Sequence, residues 1–379
     1  MFLMSQLEND GMLKFEDAYI RNGEMWFVSY SRNALMKMDM KTKIAKCVGS
    51  FPNEKMSGYR LYSKIIEYGD KLYFVPCRAE EIGVYDLTNK CFEKIPYECE
   101  EVGKVSQYSG WNFYAGCEYG GNIYFFPHQR TSILKYNPQK KQLQVLNDWY
   151  KDFKNMLEGS SSLFFNIDVV GSKAYLPLNY QDSVMVFDME NDSATIIDFE
   201  SGNEGYIAAK TCNDMLCVAP LNGNSIVLYD MKTENIKKIE LDNEKDKCDY
   251  YFWSMELVNN HIYCIPNQYK YIVNINIEDC TADKIDIDLY KNNSGESRFI
   301  CSKVVDDKIF LCSNMGELVD ISNVNEKSLM LIENDEAYKE YFELLIEDNL
   351  KRGEVVEESN GDMFKYWLSY LKKEKSGGL

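Results

Sequence analysis

Apolar and polar positions along this chain fall into a block that repeats seven times, each keyed by an aromatic residue at Phe15, Tyr62, Phe113, Phe164, Tyr206, Phe252 and Phe299. Seven residues after each aromatic comes a dipeptide of residue types that tolerate positive φ: Asn22-Gly23, Gly69-Asp70, Gly120-Gly121, Gly171-Ser172, Asn213-Asp214, Asn259-Asn260 and Asp306-Asp307. The pattern predicts a strand, a tight hairpin turn and a second strand. The second strand is apolar on both faces, as in Lys71-Leu72-Tyr73-Phe74-Val75, and ends at Ser29, Pro76, Pro127, Leu178, Pro220, Pro266 or Ser313. A third apolar run closes ten residues later on Asp39, Asp86, Asn137, Asp188, Asp230 or Asn276, shortened in the last unit to Asp320. These side chains predict Asx turns. A fourth run, such as Cys91-Phe92-Glu93-Lys94-Ile95, completes four antiparallel strands per unit.

Successive anchors lie 42 to 51 residues apart, the spacing of propeller blades rather than of leucine-rich or β-helix coils. A lone four-stranded sheet cannot bury both faces, so the units are expected to pack face to face in a closed ring. The expected fold is an all-β, seven-bladed β-propeller over residues 11–333. This organisation resembles the kelch and WD40 class of propellers. Only Gly120-Gly121 supplies a kelch-type glycine pair, only Trp26 a tryptophan near the start of a second strand, and the Gly-His and Trp-Asp pairs of WD40 blades are absent. The resemblance therefore implies a fold and transfers no functional residues. Two arrangements close the ring equally well: residues 1–10, with Met1-Phe2-Leu3-Met4, add the outermost strand of the last blade, or Ser328–Ile332 supplies it from within the unit. Residues 334–379 read as a helical extension, with one helix from Asp335 to about Arg352 and another from Asp362 to about Lys373, expected to pack on the propeller.

A net charge of −18 argues against nucleic acid, whose binding draws on Lys and Arg, and is otherwise a solubility device. The acidic clusters Glu98–Glu101 and Asp242–Asp249 are where a cationic partner is expected to land. No run is long enough to span a membrane, and Met1–Met4 is too short for a signal-peptide core. Twelve cysteines without paired spacing fit reduced thiols and a cytoplasmic location. A monomer is the default expectation.

In such a ring the longer connections, from the second to the third strand and into each first strand, share one face. There the chain places Tyr30, Arg32, Arg78, Gln129, Arg130, Asn179, Asn222 and Asn267, with Arg60, Trp111, Trp253 and Arg298 leading into first strands. Amide, aromatic and guanidinium groups suit hydrogen bonding and stacking against a protein segment or a glycan-like ligand. The apolar connection from Asp148 to Ser162, with Trp149, Tyr150 and Phe153, is expected to form a short helix over the mouth and is the first candidate for a lid. His128, with Tyr180 or Tyr269, is the best set for proton transfer. No zinc spacing, nucleophile elbow or phosphate-binding glycine loop occurs, so neither metal nor cofactor is expected. These features together point to a non-catalytic binding or scaffold propeller. The alternative is a propeller-type lyase, epimerase or cyclase using those proton-transfer groups, with Arg78 or Arg130 holding a carboxylate. The seven aromatics themselves are expected to be structural.

Overall fold

The computed structural model describes residues 13–56, 58–99, 110–242, 250–287, 299–313, 317–321, 330–331 and 340–341. They build seven four-stranded antiparallel sheets, each with its strands, here a to d, paired in chain order. The blades span Ala18–Gly49, Tyr62–Ile95, Phe113–Leu146, Asp168–Asp198, Tyr206–Glu240, Phe252–Asp286 and Phe299–Leu331. The fold is a seven-bladed β-propeller, as the repeat implies. Strands b and c are largely buried, as in Met215–Pro220 and Ile82–Asp86, whereas strand d is largely exposed, as in Cys91–Ile95.

The seven anchor aromatics are all buried, and each lies in a different one of seven hydrophobic clusters. Six of the clusters each fill one seam between neighbouring blades, and the seventh fills the seam between blades 5 and 6 and continues to Cys77, Tyr114 and Phe165. Tyr62 joins Trp26 and Leu35 of blade 1 to Leu72 and Phe74 of blade 2, and Phe15 joins Ala18 and Met36 to Ile300 and Cys312 of blade 7. One ring per seam, burying around 150–250 Å² each, explains why the register recurs.

The turns follow the residue types. Asn22 and Gly23 (φ 54° and 76°), Gly120 and Gly121, Asn259 and Asn260, and Asp306 and Asp307 have positive φ at both positions; Gly69, Gly171 and Asn213 have it at the first. The residue closing strand c accepts backbone N–H groups two or three residues on: Asp39 from Lys41 and Thr42, Asp86 from Thr88 and Asn89, Asn137 from Lys140, Asp188 from Glu190, Asp230 from Lys232 and Thr233, and Asn276 from Glu278. The four prolines also acquire a reason. Pro76, Pro127, Pro220 and Pro266 each pair with an anchor, Tyr62, Phe113, Tyr206 and Phe252, next to a register shift. A bulge there leaves the ladder without need of the proline N–H and turns the residue after the anchor out of the regular alternation.

Blade 7 takes its outermost strand, Met330–Leu331, from its own unit, pairing with Leu318 and Glu317. This is the second of the two closures; residues 1–12 lie outside the described residues. Blade 7 meets blade 1 through the apolar seam and an ion pair between Lys303 and Asp17 at 3.1 Å. Of the expected C-terminal helices only Glu340 and Tyr341 are described. Both are helical and dock on blade 1: Glu340 accepts the Cys47 N–H (2.6 Å), and the buried Tyr341 donates to the Met56 carbonyl (2.9 Å) beneath the Arg32 guanidinium.

The apolar connection after blade 3 forms helix α1, Asp148–Leu157. Trp149, Tyr150 and Leu157 are buried in the seam between blades 3 and 4, and the helix packs on Ser193–Asp198, strand d of blade 4. Its aromatic content is spent on rooting it at the rim, so the expected lid over the mouth is not the observed arrangement. The eleven cysteines of the described residues are free thiols, and Cys264 and Cys312 are buried within strands.

Candidate binding face and central cavity

Loop amides in a propeller face two demands, since the connections cross the ends of buried strands whose backbone groups need partners. Here most are committed internally. Asn33 donates to the Phe51 and Glu54 carbonyls and accepts from the Phe51 N–H. Gln129 donates to the Ser161 carbonyl and accepts from the Trp111 N–H, and Asn179 donates to the Ser162 hydroxyl. Asn267 is buried, Asn222 is half-buried, and Arg32 is buried against Tyr341. Arg298 lies outside the described residues.

Arg78 stands apart from these because it is exposed. Its guanidinium lies over the Tyr59 ring (4.7 Å) and near that of Trp111 (5.9 Å). Across a groove of about 570 Å³ stands Arg130, whose Nε donates to Asn112 Oδ1 (2.9 Å). Asn112 in turn donates to Tyr97 Oη, which donates to the Ala79 carbonyl. Two guanidinium groups from adjacent blades thus flank one groove, with Glu80 and Glu98 also on its walls.

Beneath this face, near the axis, lies a layer formed by the residue that follows each anchor: Glu16, Ser63, Tyr114, Phe165, Ile207, Trp253 and Ile300. The rings of Tyr114, Phe165 and Trp253 meet with centroids 5.1 to 6.1 Å apart. Glu16 and Arg60, both buried, form an ion pair there, and Arg60 also donates to Tyr114 Oη (3.0 Å) and stacks on Trp111 (3.9 Å). Burial opposes the Arg60 charge, but the Glu16 carboxylate outweighs it and holds the guanidinium cationic. Tyr30, half-buried, packs its ring against Arg60 and Tyr59.

The three proton-transfer candidates have different surroundings. His128 is buried among Trp111, Tyr114 and Phe165, and its Nδ1 donates to the Phe164 carbonyl (2.8 Å). Burial, opposed by that hydrogen bond and aided by the nearby Arg60 charge, lowers it to about 4, so it is neutral at pH 7. Tyr269 is fully buried against Tyr251 and Phe252. Tyr180 is 41% exposed.

Below the aromatic layer the first segments of all seven units enclose a cavity of about 360 Å³. Its charged lining is mixed in sign. Lys303 pairs with Asp17, and Lys210 with Asp168 (3.0 Å). Asp17 also accepts the Ile65 N–H, and burial, countered by Lys303 and Lys64, leaves it below its ordinary value. Glu256 accepts from Ser302 Oγ (2.5 Å), which shares a hydrogen bond with Ser254 Oγ (2.6 Å). This lining belongs to the first strands and the residues leading directly into them, and not to the loops. The signal was present in the positions one to four residues after each anchor, where Glu16, Asp17, Lys64, Asn166, Lys210, Glu256 and Lys303 interrupt otherwise apolar strands. Among the described residues no group of His, Cys, Asp and Glu side chains is arranged to hold a metal ion, and no helix is long and apolar enough to cross a membrane.

No family model and no curated protein matches this sequence. Solved structures do. A streptogramin B lyase structure is similar at 15% identity with a TM-score of 0.60, covering 81% of this chain and 92% of that one. The structure of a mitotic checkpoint complex contains a chain similar at 10% identity and a TM-score of 0.58, covering 81% and 86%. The WD40 repeats of RRP9 are similar at 10% identity and a TM-score of 0.54, covering 79% and 87%. At such identities the likeness is one of fold.

Proposed function

We propose that this propeller is a non-catalytic binding module that takes a carboxylate-bearing segment of another protein in the groove between Arg78 and Arg130. The observation that carries the reading is the pairing of an exposed guanidinium, Arg78 over Tyr59, with a second, Arg130, already oriented by Asn112. Guanidinium groups bind carboxylates bidentately, and one held in place by its neighbours loses less freedom on binding. The groove sits on the long-loop face, where blades differ most from one another. Binding is favoured over turnover because His128, the strongest acid or base on that face, is buried, neutral and hydrogen-bonded to a backbone carbonyl. A lyase, epimerase or cyclase reading would need that imidazole to reach a substrate.

Affinity capture from the native host, with the retained proteins identified by mass spectrometry, tests the reading. A partner retained by the wild type and lost from the Arg78→Glu, Arg130→Glu double variant, with both forms melting alike, is the expected result. A turnover that survives this double variant and disappears in His128→Asn would overturn it in favour of the enzyme.

A further inference from the structure

The central cavity is separate from the Arg78 groove, and its wall carries charges that balance. Three carboxylates, Glu16, Asp17 and Glu256, line it together with three ammonium groups, Lys64, Lys210 and Lys303. Their partners Arg60 and Asp168 add one more of each sign. Glu16 pairs with Arg60, Asp168 with Lys210 (3.0 Å), and Asp17 with Lys303 (3.1 Å). Lys64 acts on both Asp17 and Glu16 and favours their ionised forms, and Glu256 does the same for Lys303. Each charge therefore answers another. A charged guest would upset this balance, and no opposite charge is left over to offset its lost hydration. An apolar guest fits no better, because it would strip water from the charged groups and give no hydrogen bond in return.

Carboxylates only accept hydrogen bonds and ammonium groups only donate them, whereas a hydroxyl does both. The wall already uses hydroxyls in this way. Ser254 Oγ and Ser302 Oγ, on blades 6 and 7, share a hydrogen bond (2.6 Å), and Ser302 Oγ donates onward to Glu256 (2.5 Å). We propose that the central cavity binds one small neutral polyhydroxylated molecule, of the size of a monosaccharide or a cyclitol, whose hydroxyls bridge the carboxylates and ammonium groups of the wall and extend the Ser254–Ser302–Glu256 chain. The volume, about 360 Å³, is near the lower end of small-molecule sites, roughly 300–1,000 Å³, and suits one ring rather than a chain of them. Trp253 and Met255 supply an apolar stretch of wall for the C–H face of such a ring. The packed rings of Tyr114, Phe165 and Trp253 lie on the long-loop side of the cavity, which makes this site distinct from the Arg78 groove.

Calorimetric titration of the whole chain with D-glucose, D-galactose, D-mannose and myo-inositol, and with D-glucuronate and the ammonium form of D-glucosamine, tests this. At least one neutral probe is expected to bind saturably, and both charged relatives to bind about tenfold or more weakly than it. Glu256→Gln leaves the wall one charge positive and should move the preference about tenfold towards D-glucuronate. Lys64→Met leaves it one charge negative and should move it towards D-glucosamine. Ser302→Ala, with an unaltered melting temperature, should weaken the neutral probe about tenfold, and Arg78→Ala should leave it unchanged. The wild-type comparison of neutral with charged probes decides the matter even where a variant fails to fold. The proposal is overturned if no neutral probe binds saturably, which makes the cavity a water-filled shaft, or if a charged relative binds the wild type as well as the neutral probe does. It is equally overturned if folded Ser302→Ala binds like the wild type, if neither charge variant moves the preference, or if Arg78→Ala abolishes binding and so moves the site to the long-loop face.

Discussion

Arg60→Met is expected to lower stability by about 3–5 kcal/mol, the cost of stranding a buried charge, and so to shift the urea midpoint strongly downward. The variant leaves Glu16, itself only 5% exposed, without its counter-ion, and removes the hydrogen bond to Tyr114 and the stack on Trp111. Burial already raises the Glu16 carboxyl above its ordinary value of 4.5 against the opposing Arg60 charge, and without Arg60 the carboxyl is expected to rise further. A carboxyl raised in the folded state favours folding at low pH, and that advantage disappears as pH rises through the folded value. The deficit of Arg60→Met should therefore narrow on acidification towards 4.5. The double variant Glu16→Leu, Arg60→Met should recover most of the loss, because replacing a buried pair by apolar side chains is often close to neutral. A single variant as stable as the wild type would show that the pair does not brace the axial layer.

The second large effect is a pH dependence carried by His128. Its imidazole takes up a proton at about 4 in the folded chain against 6.5 ordinarily, because burial among Trp111, Tyr114 and Phe165 disfavours the charged form. Between these values the unfolded chain binds more protons, so stability rises with pH there and falls on acidification. The full loss, reached near pH 4, is about 3 kcal/mol. His128→Asn keeps a donor for the Phe164 carbonyl and has no titrating ring, so its stability profile should be flatter over this span. A variant whose profile coincides with that of the wild type would place the dependence in other groups.

The fold was legible because repetition multiplies weak signals. One buried Phe says little, whereas Phe15, Tyr62, Phe113, Phe164, Tyr206, Phe252 and Phe299 at one register predict one ring per seam, and each occupies its own. Asp39 and its five counterparts declare their turns because an Asx turn is local chemistry. The site was less legible because its determinants are long-range. That Asn33 and Asn179 brace the backbone while Arg78 stays exposed depends on which strand ends each loop crosses. The Asp17–Lys303 pair joins residues 286 apart in sequence, and Glu16–Arg60 bridges units 1 and 2. The bulges that turn the residue after the anchor towards the axis break the period-two alternation on which strand reading rests. Helix α1 was legible as an apolar helix, but whether Trp149 covers the mouth or fills a seam is a question of packing.

The repeat makes a uniform scaffold, and recognition is proposed to occur where the blades differ, on the long-loop face beside Arg78. Photo-cross-linking in the native host tests it most directly, with the reactive residue placed at the exposed Glu80, on the groove, or at the exposed Gln139, on the tight-turn face. A discrete cross-linked partner from position 80, lost when Arg78 and Arg130 are reversed in charge, and none from position 139, is the expected result. A partner captured from position 139 and not from position 80 would contradict it.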